Sequence, residues 1–179
     1  MKISVLLAIA TAFVSFGACS DQSPEVETRN TEQGLTMSVQ PYLKLDHEPH
    51  DMDDHAMIVT LTNYSEHPWI IEKPVVDYNL VLKVLDERGE TPRERFRNIN
   101  PYIDESFFLT LNKGEVYEVI VPMSEADYHF NDDESYSVTA TYLTLYTDVY
   151  ERNYGPVKGD AKLFREQVSS RPVRFEPGK

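Results

Sequence analysis

The chain has 179 residues, a single cysteine and a formal net charge of −13. Such an acidic chain repels a phosphate backbone, which excludes nucleic acid as an expected partner. One cysteine excludes an intrachain disulfide, so the domain must be held together by its hydrophobic core, and its length is sufficient for that.

The first 18 residues have the pattern of a secretory signal peptide. A basic residue precedes the uncharged, mostly apolar run 3–16, which is shorter than the roughly 20 residues that a membrane-spanning helix needs. The run ends in Phe16-Gly17-Ala18-Cys19, which resembles the bacterial lipobox. This resemblance implies a precursor whose first mature residue is a lipid-modified Cys19. The alternative is an ordinary secretory cleavage that leaves the cysteine unmodified.

A lipobox implies several acyl chains on Cys19, and two or more chains anchor a protein stably to a membrane. Ser20 follows the cysteine, where an aspartate in such signals favours retention in the inner membrane. The prediction is therefore an outer-membrane anchor that faces the periplasm, with the inner membrane as the alternative. Residues 19–34 are polar and lack apolar periodicity, which predicts a flexible tether before a folded domain at 35–179.

From Leu35 onward, apolar positions alternate with a period of two and are rich in aromatic and β-branched residues, which is typical of strands. Strands are predicted at 35–45, 57–63, 69–72, 79–86, 106–111, 115–121, 135–147 and 172–176. Turn-forming residues separate them, and no long helix is indicated. The pattern predicts an all-β domain, an immunoglobulin-like antiparallel β-sandwich of about seven or eight strands.

Two local patterns refine this prediction. Asn112-Lys113-Gly114 predicts a hairpin whose glycine takes a positive φ. Asp132 and Tyr136 have the spacing of a tyrosine corner, in which the tyrosine hydroxyl bonds to the loop backbone. Trp69 is expected to fill the core.

Several segments together resemble an immunoglobulin-like module of bacterial secreted proteins. They are 59–65, 111–115, 121–124 with Tyr128 and Phe130, and 136–142. The pattern is similar to the β-domain that precedes some deuterolysin-type metallopeptidases. This resemblance implies a sandwich fold and an accessory role, and it carries over no catalytic residues.

The segment 46–55 has three histidines, four aspartates and a glutamate. Imidazole and carboxylate ligands suit zinc or copper, and a loop can bring them together without helical spacing. The candidate metal ligands are His47, His50, Asp51, Asp53 and His55. The alternative is a polar loop whose side chains are simply solvated.

The sequence lacks a recognisable catalytic motif. The zincin pattern His-Glu-x-x-His is missed at 47–51, because Asp51 occupies the second histidine position and Pro49 opposes a helix. Neither a Gly-x-Ser-x-Gly elbow nor a glycine-rich phosphate loop occurs. The remaining catalytic possibility is a hydrolase triad whose members are far apart in the sequence. We therefore predict a protein that is not an enzyme and needs no cofactor.

The stretch 141–154 is rich in tyrosine, and an exposed row would suit a protein or glycan partner. The candidate binding residues are Tyr142, Tyr146, Tyr150 and Tyr154. The alternative is that the last three pack beneath the following loop.

Four arginines, at positions 88, 93, 95 and 97, form a basic cluster. Interleaved glutamates predict mutual pairing on a solvated hairpin, with docking on lipid headgroups or an acidic partner as the alternative.

Taken together, these patterns predict a membrane-anchored periplasmic lipoprotein that acts as a non-enzymatic binding or accessory module for another envelope or secreted protein. The alternative function is periplasmic binding of zinc or copper by the segment 46–55.

Overall fold

The computed structural model describes residues 29–30, 34–42, 55–93, 99–123 and 128–177. The predicted signal peptide and Cys19 lie outside these residues. So do four of the predicted metal ligands, His47, His50, Asp51 and Asp53.

The described chain is predominantly β-structure, which confirms the predicted fold class. The strands are β1 Arg29–Asn30, β2 Leu35–Pro41, β3 Ala56–Asn63, β4 Trp69–Glu72, β5 Leu80–Leu85, β6 Phe108–Leu111, β7 Val116–Pro122, β8 Tyr136–Leu143, β9 Lys162–Leu163, β10 Gln167–Ser169 and β11 Val173–Phe175. A 3-10 turn, Glu105–Phe107, precedes β6, and helix α1 covers Thr147–Tyr154. Strand β1 lies inside the predicted tether and pairs with β2.

The strands form three sheets. The first has the order β1-β2-β3-β7 and is antiparallel throughout. In the second, β8 pairs with β5 along one edge and with β10 and β11 along the other. The third has the order β6-β4-β9, in which β4 and β9 run parallel.

The core lies between the first two sheets and includes side chains of the third. Burial alternates along β3 and β8, as expected for strands with one face in a core. Val59 from β3 and Val138 from β8 are among the buried side chains, and Trp69 is 4 % exposed, which confirms its predicted place. Burying one aliphatic side chain, such as that of Val59 or Val138, stabilises the fold by about 2 kcal/mol.

The turn Asn112-Lys113-Gly114 joins two different sheets. Gly114 has the predicted positive φ, 77°, but β6 pairs with β4 whereas β7 pairs with β3. Asn63 holds the turn, because its carbonyl accepts the Gly114 N–H at 2.7 Å and its side-chain amide donates to the Leu111 carbonyl at 2.8 Å. The predicted hairpin is therefore wrong, since alternation does not indicate which sheet a strand joins.

Tyr136 makes the predicted corner contact. Its hydroxyl accepts the Asn131 N–H at 2.9 Å and donates to the Glu134 carboxylate at 3.1 Å. Asp132, the acidic residue that precedes the strand in this pattern, lies 3.9 Å from the His55 imidazole.

Strand β8 ends at Leu143, and α1 follows, which corrects the predicted strand 135–147. The buried carboxylate of Glu72 accepts the backbone N–H groups of Leu145, at 2.9 Å, and of Tyr146. These bonds turn the chain out of the sheet and satisfy N–H groups where the helix begins. At eight residues α1 is far too short to cross a bilayer, and the described part of the chain contains no other helix that could.

Candidate functional site

The four predicted binding tyrosines do not share one environment. Tyr142 is fully buried, and its hydroxyl donates to the Glu72 carbonyl at 2.8 Å. Burial raises its pKa well above the usual value. Its predicted place on a binding surface is therefore wrong, because it points into the core from β8.

Tyr146, Tyr150 and Tyr154 are half-buried and follow one another every four residues from the start of α1 to its end. This spacing places them along one face of the helix. Tyr146 stacks on Tyr78 with ring centroids 5.8 Å apart, and Tyr150 and Tyr154 lie 5.0 and 6.1 Å from the ring of Phe108. Such ring pairs each add about 1 kcal/mol beyond area burial, so they attach the helix to the sheet.

One end of this cluster is open to solvent, and we name it the aromatic patch. It consists of Tyr102, Phe108, Tyr150 and Tyr154. Tyr102 is 85 % exposed, whereas the other three are half-buried and show only part of each ring. Tyr150 and Tyr154 also contact each other, with centroids 5.4 Å apart.

Two acidic residues lie beside the aromatic patch. Burial raises the pKa of Tyr154, and the negative charges of Asp104 and Glu105 raise it further. The Asp104 carboxylate accepts both the hydroxyl and the backbone N–H of Ser106, at 2.6 and 2.9 Å. The Ser106 hydroxyl is the main cause of its lowered pKa, so Asp104 is ionised at neutral pH.

The charge beside the aromatic patch is only partly compensated. Lys73 lies near enough to Asp104 to lower its pKa further. Glu105 is exposed, and its carboxylate makes neither a hydrogen bond nor an ion pair with any part of the chain that the structure describes. The acidic residues of α1 itself are already paired, since the Arg165 guanidinium binds the carboxylates of Asp148 and Glu151 at 2.8 Å each.

This arrangement suits a cationic group. The face of a tyrosine or phenylalanine ring attracts a guanidinium or ammonium group by about 0.5–1 kcal/mol at an exposed site. Carboxylates next to the rings add a hydrogen-bonding, negatively charged rim. The sequence indicated the tyrosines of α1, but not Tyr102, Asp104 and Glu105, whose loop reaches the helix only in the folded chain.

His55 is the one predicted metal ligand within the described residues. Its ring packs edge-on against Phe130 and Phe175, at 5.8 and 5.9 Å, beside the Asp132 carboxylate. Across the described ranges, no three His, Cys, Asp or Glu side chains come together in a way that could hold a metal ion. Metal binding by the segment 46–55 stays a prediction.

The predicted basic cluster does not form as expected at Arg93. This guanidinium is 1 % exposed and makes a two-pronged ion pair with Asp77, which has a side chain that is 2 % exposed. It also lies 5.0 Å from the centre of the Tyr128 ring. Burial is the largest single influence and opposes the charge, but the hydrogen bonds and charges of Asp77 and Tyr128 together outweigh it and raise the pKa of Arg93. Arg93 is therefore a core residue; Arg95 and Arg97 lie outside the described residues.

Comparisons with family models, with curated proteins and with solved structures give no match to this chain. The resemblance to deuterolysin-associated β-domains thus stays a prediction.

Proposed function

We propose that the protein is a lipid-anchored, non-enzymatic binding module of the bacterial cell envelope that holds a basic segment of another envelope or secreted protein. The observation that carries this proposal is the aromatic patch, in which partly open tyrosine rings lie beside the carboxylates of Asp104 and Glu105.

Charge and ring chemistry together support a basic protein segment as the ligand. The chain carries a net charge of −13, which raises the local concentration of cationic partners and speeds their encounter. Arginine fits better than lysine, because its planar guanidinium stacks on tyrosine and also bonds to a carboxylate with two N–H groups.

The first prediction concerns the anchor. Cells that express the protein and are supplied with labelled fatty acid should incorporate label into the wild type, because the lipobox thiol receives the lipid. Cys19→Ala should carry no label, while Ser20→Ala, a matched change at the next residue, should be labelled like the wild type. Label on the Cys19→Ala protein would disprove lipid attachment at this cysteine.

The second prediction concerns the patch. The purified protein should bind a blocked peptide, Gly-Arg-Gly-Arg-Gly, and the double variant Tyr150→Ala, Tyr154→Ala should bind it about tenfold more weakly, since two ring contacts of about 0.5–1 kcal/mol each are lost. Isothermal titration calorimetry at fixed salt measures the difference.

Two controls separate recognition by the rings from simple charge attraction. Tyr64→Ala removes another exposed tyrosine, 63 % exposed and distant in sequence, and should leave the affinity unchanged. A peptide with citrulline in place of arginine keeps the shape but not the charge, and should bind weakly to every variant. Equal loss of affinity in Tyr64→Ala and in the double variant would refute the proposal.

A further inference from the structure

Strand β7 forms an open edge of the first sheet. Among the described residues it pairs with β3 alone. The Met123 N–H donates to the His55 carbonyl and the Asn63 N–H donates to the Glu115 carbonyl, so the odd-numbered positions of this segment point toward β3. Because direction alternates in an antiparallel ladder, the N–H and C=O groups of Val116, Glu118 and Ile120 point away from the sheet.

The side chains along this edge leave it accessible. Val116 and Ile120 are 53 % and 43 % exposed, and Glu118 lies between them, contacted by the Thr60 hydroxyl at 3.4 Å. Natural edge strands usually block unwanted pairing with lysine, proline or a bulge. Strand β7 has seven residues without a lysine or arginine, and its single proline is the last of them, Pro122.

We propose that β7 is a strand-addition site for an extended segment of a partner protein that places a basic residue opposite Glu118 and β-branched residues two positions to either side. Backbone hydrogen bonds to the three outward positions provide the affinity, and side chains beside Val116 and Ile120 provide the fit. This site is separate from the aromatic patch and goes beyond the function proposed above.

Charge complementarity selects this occupant over a second copy of the chain. Val116, Glu118 and Ile120 lie on one face of β7, and Glu118 is the charged residue among them. On β3 they pair with uncharged residues, Thr62, Thr60 and Ile58. Two copies paired edge to edge in an antiparallel register centred on Glu118 would bring both Glu118 carboxylates directly opposite each other on chains of net charge −13, and like charges in such pairs are destabilising. A basic residue forms a favourable cross-strand pair at the same position.

The test uses a blocked heptapeptide, Thr-Val-Thr-Lys-Thr-Val-Thr, titrated into the full-length protein. It should bind at least about fivefold more tightly than the same peptide with glutamate in place of lysine, and Glu118→Lys should reverse that preference. Equal binding of the two peptides to the wild type would overturn the predicted charge selection.

A backbone test accompanies it. Ile120→Pro removes one N–H that points away from the sheet and leaves the hydrogen bonds between β7 and β3 in place. The backbone of β7 already has a proline at such an outward position, Pro122. This variant should lose most of its affinity for the heptapeptide, whereas the Tyr150→Ala, Tyr154→Ala variant should keep it. A heptapeptide N-methylated at its two valines and its lysine, the residues that would pair with the outward positions of β7, should fail to bind the wild type. It provides the same test without a mutation. Undiminished binding in either backbone test would refute strand addition.

Discussion

Asp77→Asn is expected to lower the free energy of unfolding by about 3 kcal/mol, because it leaves the Arg93 guanidinium buried without its carboxylate. Both side chains are almost completely excluded from solvent. Asparagine suits the backbone at this position, where φ is 64°, so the change removes charge without adding conformational strain. Chemical denaturation measures the loss.

A second variant distinguishes the loss of the ion pair between Arg93 and Asp77 from the cost of leaving one charge buried without a partner. Asp77→Asn combined with Arg93→Met should recover part of the stability, since neither charge then remains buried. Arg165→Met, which removes the exposed pairs to Asp148 and Glu151, is the matched control and should cost less than about 1 kcal/mol. An effect of Asp77→Asn as small as that of the control would contradict the role assigned to the buried pair.

Glu72→Ala is expected to cost about 3 kcal/mol, because the N–H groups of Leu145 and Tyr146 lose their acceptor and the start of α1 loses its attachment. Glu72→Gln keeps one acceptor oxygen and should cost less. Loss of the helix should also appear in the near-ultraviolet circular dichroism of its stacked tyrosines. Unchanged stability in Glu72→Ala would mean that other contacts hold α1.

The same residue predicts a pH dependence. Burial raises the pKa of Glu72 above the usual value of 4.5, although hydrogen bonds from Leu145, Tyr146 and Asn79 oppose the shift. The folded protein therefore binds this proton more tightly than the unfolded chain does. Its stabilising contribution is complete below pH 4.5 and is lost as the pH rises through the folded pKa. Glu72→Gln should lack this component, so the difference between the wild-type and variant stability curves should show it.

Local pattern was sufficient to predict the longer strands, but not the short strands β1, β9 and β10 or how the strands assemble into sheets. Alternation in 57–63 corresponds to β3 and predicts which side chains are buried, because every second side chain of a strand lies on the same face. It does not indicate that β6 and β7 belong to different sheets, since that depends on Asn63, which contacts both ends of the turn.

Helix α1 was missed for a related reason. The residues just before it, 142–146, are apolar and aromatic enough to continue β8, and the chain turns there because of Glu72, a residue 73 positions before Leu145. The tyrosines of α1 were predictable as a cluster from composition. Their acidic neighbours were not, because Asp104 and Glu105 reach Tyr154 only through tertiary packing.

The central claim is that the aromatic patch recognises a cationic segment, and ring-selective NMR tests it most directly. Protein labelled with carbon-13 in its tyrosine rings is titrated with the blocked Gly-Arg-Gly-Arg-Gly peptide. The resonances of Tyr102, Tyr150 and Tyr154 should shift together along one saturable curve, while Tyr64 stays in place. Shifts at Tyr64 equal to those of the patch, or patch resonances that do not move, would contradict the account.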